Sequence, residues 1–138
     1  VMTFHIGDQI YGIEIQYVTE IIEMQHITKV PHVPSYIKGI INVRSKVVPI
    51  VDIRARFGKP EIPYTGRTCI IILALGDISV GIIVDSVADV EDIHTGDISA
   101  TPENHSVNTN CFIQYMIRSG ENVKLILDVS KLLDEQEA

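Results

Sequence analysis

Ile6-Gly7-Asp8-Gln9-Ile10-Tyr11-Gly12-Ile13 returns later in the chain as Leu75-Gly76-Asp77-Ile78-Ser79-Val80-Gly81-Ile82, at a constant offset of 69 residues, Gly7 on Gly76 and Gly12 on Gly81. The same offset carries Val18, Glu20 and Ile21 onto Val87, Asp89 and Val90, which keeps an apolar, acidic, apolar order. Further on, Ile50-Val51-Asp52-Ile53 falls on Ile126-Leu127-Asp128-Val129 at an offset of 76, and Phe57 then falls on Leu133. A seven-residue insertion in the second copy accounts for the change of offset. The chain is therefore an internal duplication.

Each copy reads as a strand, a Gly-Asp turn, a second strand, a short break, a third strand, and a longer hairpin that ends in a helical turn. Met2, Phe4 and Ile6 alternate with Thr3 and His5, and Tyr11, Ile13 and Ile15 alternate with Gly12, Glu14 and Gln16, the period of strands with one buried face. Gly7-Asp8 and Gly76-Asp77 supply the positive φ that tight hairpin turns need. In the second copy Ile70 to Leu75 and Val80 to Val84 are nearly continuous apolar runs, which predicts strands covered on both faces. The cover for the second face is either the other lobe or a partner. Ile83, standing where the first copy has Glu14, is the residue that would meet a partner.

The longer hairpin of the first copy runs from Ile37 to Val43, turns near Arg44-Ser45-Lys46 and returns to Ile53, with Pro49 marking an edge or a bulge. Ile53-Arg54-Ala55-Arg56-Phe57 suits one helical turn closed by Gly58. At the end of the chain Val129, Leu132 and Leu133 sit at helical spacing before an acidic tail, which predicts a short docked helix. The fold class expected is mainly β, two small SH3-like barrel lobes with short helical turns.

At 138 residues the chain is long enough for a sizeable core, and 46% apolar against 21% charged residues excludes the disordered class. Its formal charge of −7, with scattered basic residues, argues against nucleic acid and anionic membrane as partners. No apolar run approaches the ~20 residues of a spanning helix. With no signal-peptide pattern, a cytoplasmic location follows, and Cys69 and Cys111 are expected to be buried thiols rather than a disulfide.

Catalytic signatures are absent. His5, His26, His32, His94 and His105 show no HExxH spacing and no Cys/His cluster, so no metal or other cofactor is expected. Gly7 and Gly12 lack the following helix and the Lys-Ser/Thr pair of a phosphate loop, and no GxSxG elbow occurs. Asp85 and Asp89, four apart, suit capping and solvated roles better than acid–base work.

IGDQIYGIEIQYVTEI, IKGIINVRSKVVPIVDIRARF and GIIVDSVADV together resemble the CheW family of chemotaxis coupling proteins, over nearly the whole chain from Phe4 to Leu133. The resemblance implies two intertwined five-stranded SH3-like lobes in one domain spanning 1–138. The expected division is roughly 14–67 with the C-terminal segment and 68–128 with the N-terminal strand. It implies a non-catalytic scaffold that couples the cytoplasmic helical hairpin of a chemoreceptor to the regulatory domain of a CheA-like histidine kinase. Other coupler subunits in array rings are further implied partners.

Receptor contact in the family maps onto Ile15, Val18, Glu20 and Arg44. For the kinase the candidates are Ile83, Pro102 and Glu103, although Asn104 cannot supply the aromatic that some members present there. The family's usual Asn-Leu-Arg-Gly turn reads Asn42-Val43-Arg44-Ser45, so the geometry at Ser45 is an open question. Two rival functions remain: the coupling domain of a CheV-like protein, and a small β-barrel that binds a ligand or nucleic acid on its strand face. The second is disfavoured by the absence of Trp and by the acidic charge.

Overall fold

Gly7 and Gly76 adopt φ of 60° and 61°, and each opens a two-residue turn, Ile6 pairing with Gln9 and Leu75 with Ile78. Positive φ at the first central residue alone, with glycine there, is the pattern of a type II′ turn, whose twist suits the flanking strands. The structure, a computed structural model, describes residues 1–60, 62–90, 98–99, 112–119 and 122–132. The two turns close hairpins β1 (Met2–Ile6) with β2 (Gln9–Ile13) and β6 (Cys69–Leu75) with β7 (Ile78–Val84). A single 3-10 turn, Ile15–Tyr17, leads into β3 (Val18–Glu23). Then come β4 (Ile37–Val43), β5 (Lys46–Asp52) and the one-turn helix α1 (Ile53–Arg56). After β7 follow β8 (Ser86–Val90), the short β9 (Ile98–Ser99), β10 (Ile113–Ser119), β11 (Asn122–Leu127) and α2 (Val129–Leu132).

The strands form two sheets, β8-β1-β2-β11-β10-β9 and β3-β6-β7-β5-β4. With the copies overlaid, both follow one order: third strand, first, second, fifth, fourth. In each sheet the first hairpin comes from one copy and the remaining strands come from the other copy, so the lobes are exchanged. The equivalence reaches the irregularities. Bulges break the register between Thr3 and Phe4 opposite β8 and at the matching Val18 to Glu20 opposite β6. They recur between Ile37 and Gly39 and between Ile113 and Tyr115. Asp52 N donates to Tyr36 O at 2.8 Å, and Asp128 N to Phe112 O at 2.8 Å. A bulge is a specific backbone event, and its recurrence at matching positions supports the duplication independently of side-chain identity.

The parallel pairings β2 with β11 and β5 with β7 bring Gly12 opposite Ile126 and Gly81 opposite Ile50. A Cβ on Gly12 would lie 2.6 Å from Ile126 Cδ1, and one on Gly81 2.7 Å from Ile50 Cδ1. Both glycines are therefore there to admit an isoleucine.

Two clusters make the core. The larger draws on both sheets: Phe4, Tyr11, Ile13, Ile71, Leu73 and Ile82 meet between them, with Phe57 and Phe112 from the segments around the helices. Its rings form a chain, Tyr11 to Phe57 at 5.2 Å and Phe57 to Phe112 at 5.3 Å. The smaller, Ile41, Val48, Ile50, Ile70, Ile72 and Ile83, fills the concave side of the second sheet alone. Each of these side chains contributes about 1.5–3 kcal/mol by leaving water.

The second face of β6 and β7 is covered by Ile41, Val48 and Ile50 of the first copy, the expected alternative to a partner, although these residues stand in the same sheet as β6 and β7. Other expectations change. Residues 69–84, expected with the second lobe, pair in the sheet that holds residues 18–52, while the C-terminal β11 joins the N-terminal hairpin. Pro49 lies in neither an edge strand nor a bulge, since β5 runs between β4 and β7. The parallel ladder with β7 begins one residue later, at Ile50, so the missing N–H costs no bond there. Neither sheet closes into a full barrel: among the described residues, the second sheet's edges meet only at the isolated bridge Thr28 to Ile40. The corresponding pairing in the first sheet, Ser99 with Met116, is what makes β9 a sixth strand. The helical turns are as expected, with Asp52 Oδ1 accepting from Arg54 N at 3.0 Å and Gly58 at φ 74°.

Candidate functional site

The bulge at Thr19 decides how β3 presents its side chains. Val18 pairs with Leu73 and Glu20 with the next residue, Ile72, so Val18 turns toward the inter-sheet core and Glu20 toward the mouth of the second sheet's concave side. Across that mouth is the β4–β5 turn, where Val43 pairs with Lys46 around a two-residue loop. Arg44 and Ser45 both have positive φ, 50° and 68°, the pattern of a type I′ turn. Ser45 thus holds a left-handed conformation that glycine adopts freely, at about 1 kcal/mol for a non-glycine residue.

That turn carries Arg44 over β3, where its Nε lies 3.4 Å from Glu20 Oε2. The Arg44 side chain is 82% exposed and that of Glu20 25%, so the carboxylate is held and the guanidinium reaches outward. Thr19, Lys46 and Ser79 complete the rim of a cleft floored by Val48 and Ile72. An exposed pair of this kind is worth only about 0–1 kcal/mol to stability. Its arrangement of one anion and two cations over an apolar floor suits a partner with complementary charges beside an apolar anchor.

Of the four residues expected at the receptor site, the structure joins Glu20 and Arg44. Ile15 is 49% exposed in the 3-10 turn before β3 and open to a partner, while Val18 is half-buried and partly committed to the core. Ile83 is 3% exposed within the smaller cluster and so presents nothing to a kinase, which removes it from the expected contacts. Pro102 and Glu103 lie outside the described residues, as do Asn104, His94, His105, Cys111 and the tail from Leu133. Cys69 is a free, half-buried thiol, and burial pushes its pKa up. Among the described residues no cluster of His, Cys, Asp or Glu could hold a metal, and no helix is long and apolar enough to cross a membrane.

Sequence reasoning missed the charges on α1. Arg54 Nε donates to Asp85 Oδ1 at 3.0 Å and Nη2 to Oδ2 at 2.5 Å, and Gly7 N donates to Oδ2 at 2.7 Å. The Arg54 guanidinium, with help from the Gly7 amide, holds the Asp85 carboxyl below its ordinary range despite partial burial. Asp85 does cap a turn, as expected, but it is paired rather than solvated. Arg56 is 6% exposed, 4.2 Å over the Tyr36 ring and 4.9 Å from that of Phe112, with Nη2 donating to Lys131 O at 3.4 Å. A signal existed: Arg54, Arg56 and Asp85 fall on Ser130, Leu132 and Gln16, the repeat's unlike positions.

The profile of the CheW-like domain family matches residues 1–137. The chain is 36% identical over 135 residues to the chemotaxis protein CheW of Bacillus subtilis (strain 168), covering 98% of this chain and 86% of that one. It is 33% identical over 136 residues to chemotaxis protein CheW of Klebsiella aerogenes, covering 99% and 82%. The crystal structure of the scaffolding protein TtCheW from Thermoanaerobacter tengcongensis superposes with a TM-score of 0.90 at 28% identity, covering 99% of this chain and 93% of that one.

Proposed function

Because the chain belongs to the CheW-like domain family, we propose that it is a non-catalytic chemotaxis scaffold that couples the cytoplasmic hairpin of a chemoreceptor to the regulatory domain of a CheA-like histidine kinase. It works in the cytoplasm against membrane-bound receptor arrays, where other coupler subunits are further partners. The observation that carries the receptor half of this reading is the Glu20–Arg44 pair. Two residues 24 positions apart, both implied in receptor contact by family resemblance, meet at one cleft beside an apolar floor. A helix face seats an apolar side chain in such a cleft and pairs its charged flank with the rim. Ile15 extends the apolar contact. Pro102 and Glu103 remain the proposed kinase contacts.

A scaffold with two interfaces changes kinase output by linkage: each partner is held in a geometry that the other feels. The test is calorimetric titration of the full chain against its cognate kinase regulatory domain and, separately, a receptor-tip hairpin, using wild-type and Arg44→Glu proteins. Binding to both, with only the receptor weakened by Arg44→Glu, is expected. Wild-type binding to neither would overturn the assignment, and equal receptor affinity of the two proteins would remove Arg44 from the site.

A further inference from the structure

Asp85 stands where the chain leaves the second sheet, after β7, and enters the first, at β8. Its carboxylate takes both arms of Arg54, from the helix that follows β5 of the second sheet, and the amide of Gly7, from the β1–β2 turn of the first. Its own amide donates to His5 O at 3.1 Å. One carboxylate thus ties a helix, a crossover and a hairpin turn belonging to different sheets. The side chains are 13% and 24% exposed, so water competes little for the pair.

The duplication supplies an internal control. At the other crossover, between β2 and β3, Asp85 corresponds to Gln16, whose amide bonds locally to Glu14 Oε2 at 3.3 Å. Arg54 corresponds to Ser130, whose amide and hydroxyl both turn back to Asp128 Oδ1. Gly7 corresponds to Gly76, with nothing within 4 Å of where a Cβ would sit, whereas Arg54 Nη2 lies 3.5 Å from that point at Gly7. Among the described residues, a fold with two equivalent crossovers is locked by charge at one of them.

We propose that Arg54 and Asp85 are positioning residues that fix the relative orientation of the two sheets, and with it the geometry between the scaffold's two partner surfaces, from one side of the molecule. Neither residue touches a partner in this role. The planar fork of arginine is what makes the link directional, because two parallel bonds to one carboxylate fix orientation and a lysine would fix only distance. The link between this lock and signalling rests on the coupler reading above; the lock itself does not.

The experiment places spin labels at Asn42 and Arg118, exposed and equivalent positions on β4 and β10, in full-length protein with Cys69→Ser and Cys111→Ser. Asp85→Asn is expected to broaden the inter-label distance distribution about twofold, as the sheets sample more arrangements, while a denaturation curve still shows folded protein. An unchanged width overturns the proposal. Should Asp85→Asn fail to fold, Gln16→Asp with Ser130→Arg decides: a second lock at the other crossover narrows the distribution, and no narrowing counts against it. In the functional arm, Asp85→Asn keeps each separate affinity within about twofold, while receptor-dependent kinase stimulation falls about tenfold, the range of a lost coupling. Arg54→Lys, which keeps the charge and loses the fork, is expected to lower it similarly. Weakened separate binding in Asp85→Asn would overturn the positioning role, whereas failure of wild-type protein to bind either partner would overturn only the coupler reading and leave the label widths to judge the lock.

Discussion

Arg54 and Asp85 are 31 residues apart in sequence and meet through two bonds of 3.0 and 2.5 Å, with the Gly7 amide sharing one of the carboxylate oxygens. A carboxylate that accepts three charge-assisted or amide hydrogen bonds while largely shielded from water is stabilised in its ionised form. Its protonation is therefore coupled to folding.

The coupling has a definite sign. Because the folded-state pKa of Asp85 is depressed, its stabilisation is fully present above the ordinary carboxylate value and is lost as pH falls through the depressed one. At neutral pH, Asp85→Asn is expected to cost about 1–3 kcal/mol in urea unfolding. The gap between wild type and variant should shrink as pH is taken below about 4. A gap independent of pH down to the acid limit would show that the carboxylate's charge is irrelevant.

Gly12→Ala and Gly81→Ala form a matched pair. Each introduces a methyl into the space of an isoleucine across a parallel ladder, Ile126 in one sheet and Ile50 in the other. Overpacking of this kind costs about 1–3 kcal/mol. Shortening the opposing side chain, Ile126→Val or Ile50→Val, should recover part of the loss in each double variant. Stability measurements that find one glycine replaceable at no cost would show that the two copies have diverged in packing as well as in charge.

Ser45→Gly should stabilise the chain. Ser45 has φ of 68°, which glycine adopts without strain, and the gain should be up to about 1 kcal/mol after the extra freedom of an unfolded glycine is offset. The midpoint of denaturant unfolding reads this directly. A lower midpoint would mean that the serine makes a compensating interaction in the folded turn.

Much of this was legible in the sequence, because turns and strand periods are local. Gly7-Asp8 and Gly76-Asp77 specified two hairpins, and the repeat offsets found the equivalent strands. The repeat alone did not reveal the exchange of hairpins, since it fixes which segments are alike and says nothing of which copy pairs with which; the resemblance implied intertwined lobes with the N-terminal strand in the second, and the placement of residues 69–84 was missed. Ile83 misled for a related reason: an apolar residue where its counterpart is Glu14 looks like a surface for a partner, yet the sheet's own curl buries it. Glu20 and Arg44 were found through family resemblance and joined by the fold. The partners of Arg54, Arg56 and Asp85 were missed because charged residues in a helical turn and a crossover look solvated until the chain closes around them.

The exchanged hairpins also set an order in time. β3 through β7 span residues 18–84, so the second sheet can assemble once those residues have left the ribosome. The β1–β2 hairpin, made well before β11, finds its parallel partner only there, where Gly12 meets Ile126. Translation therefore keeps β1 and β2 waiting with one edge unpaired until β11 has emerged, the exposure that invites aggregation or chaperone capture.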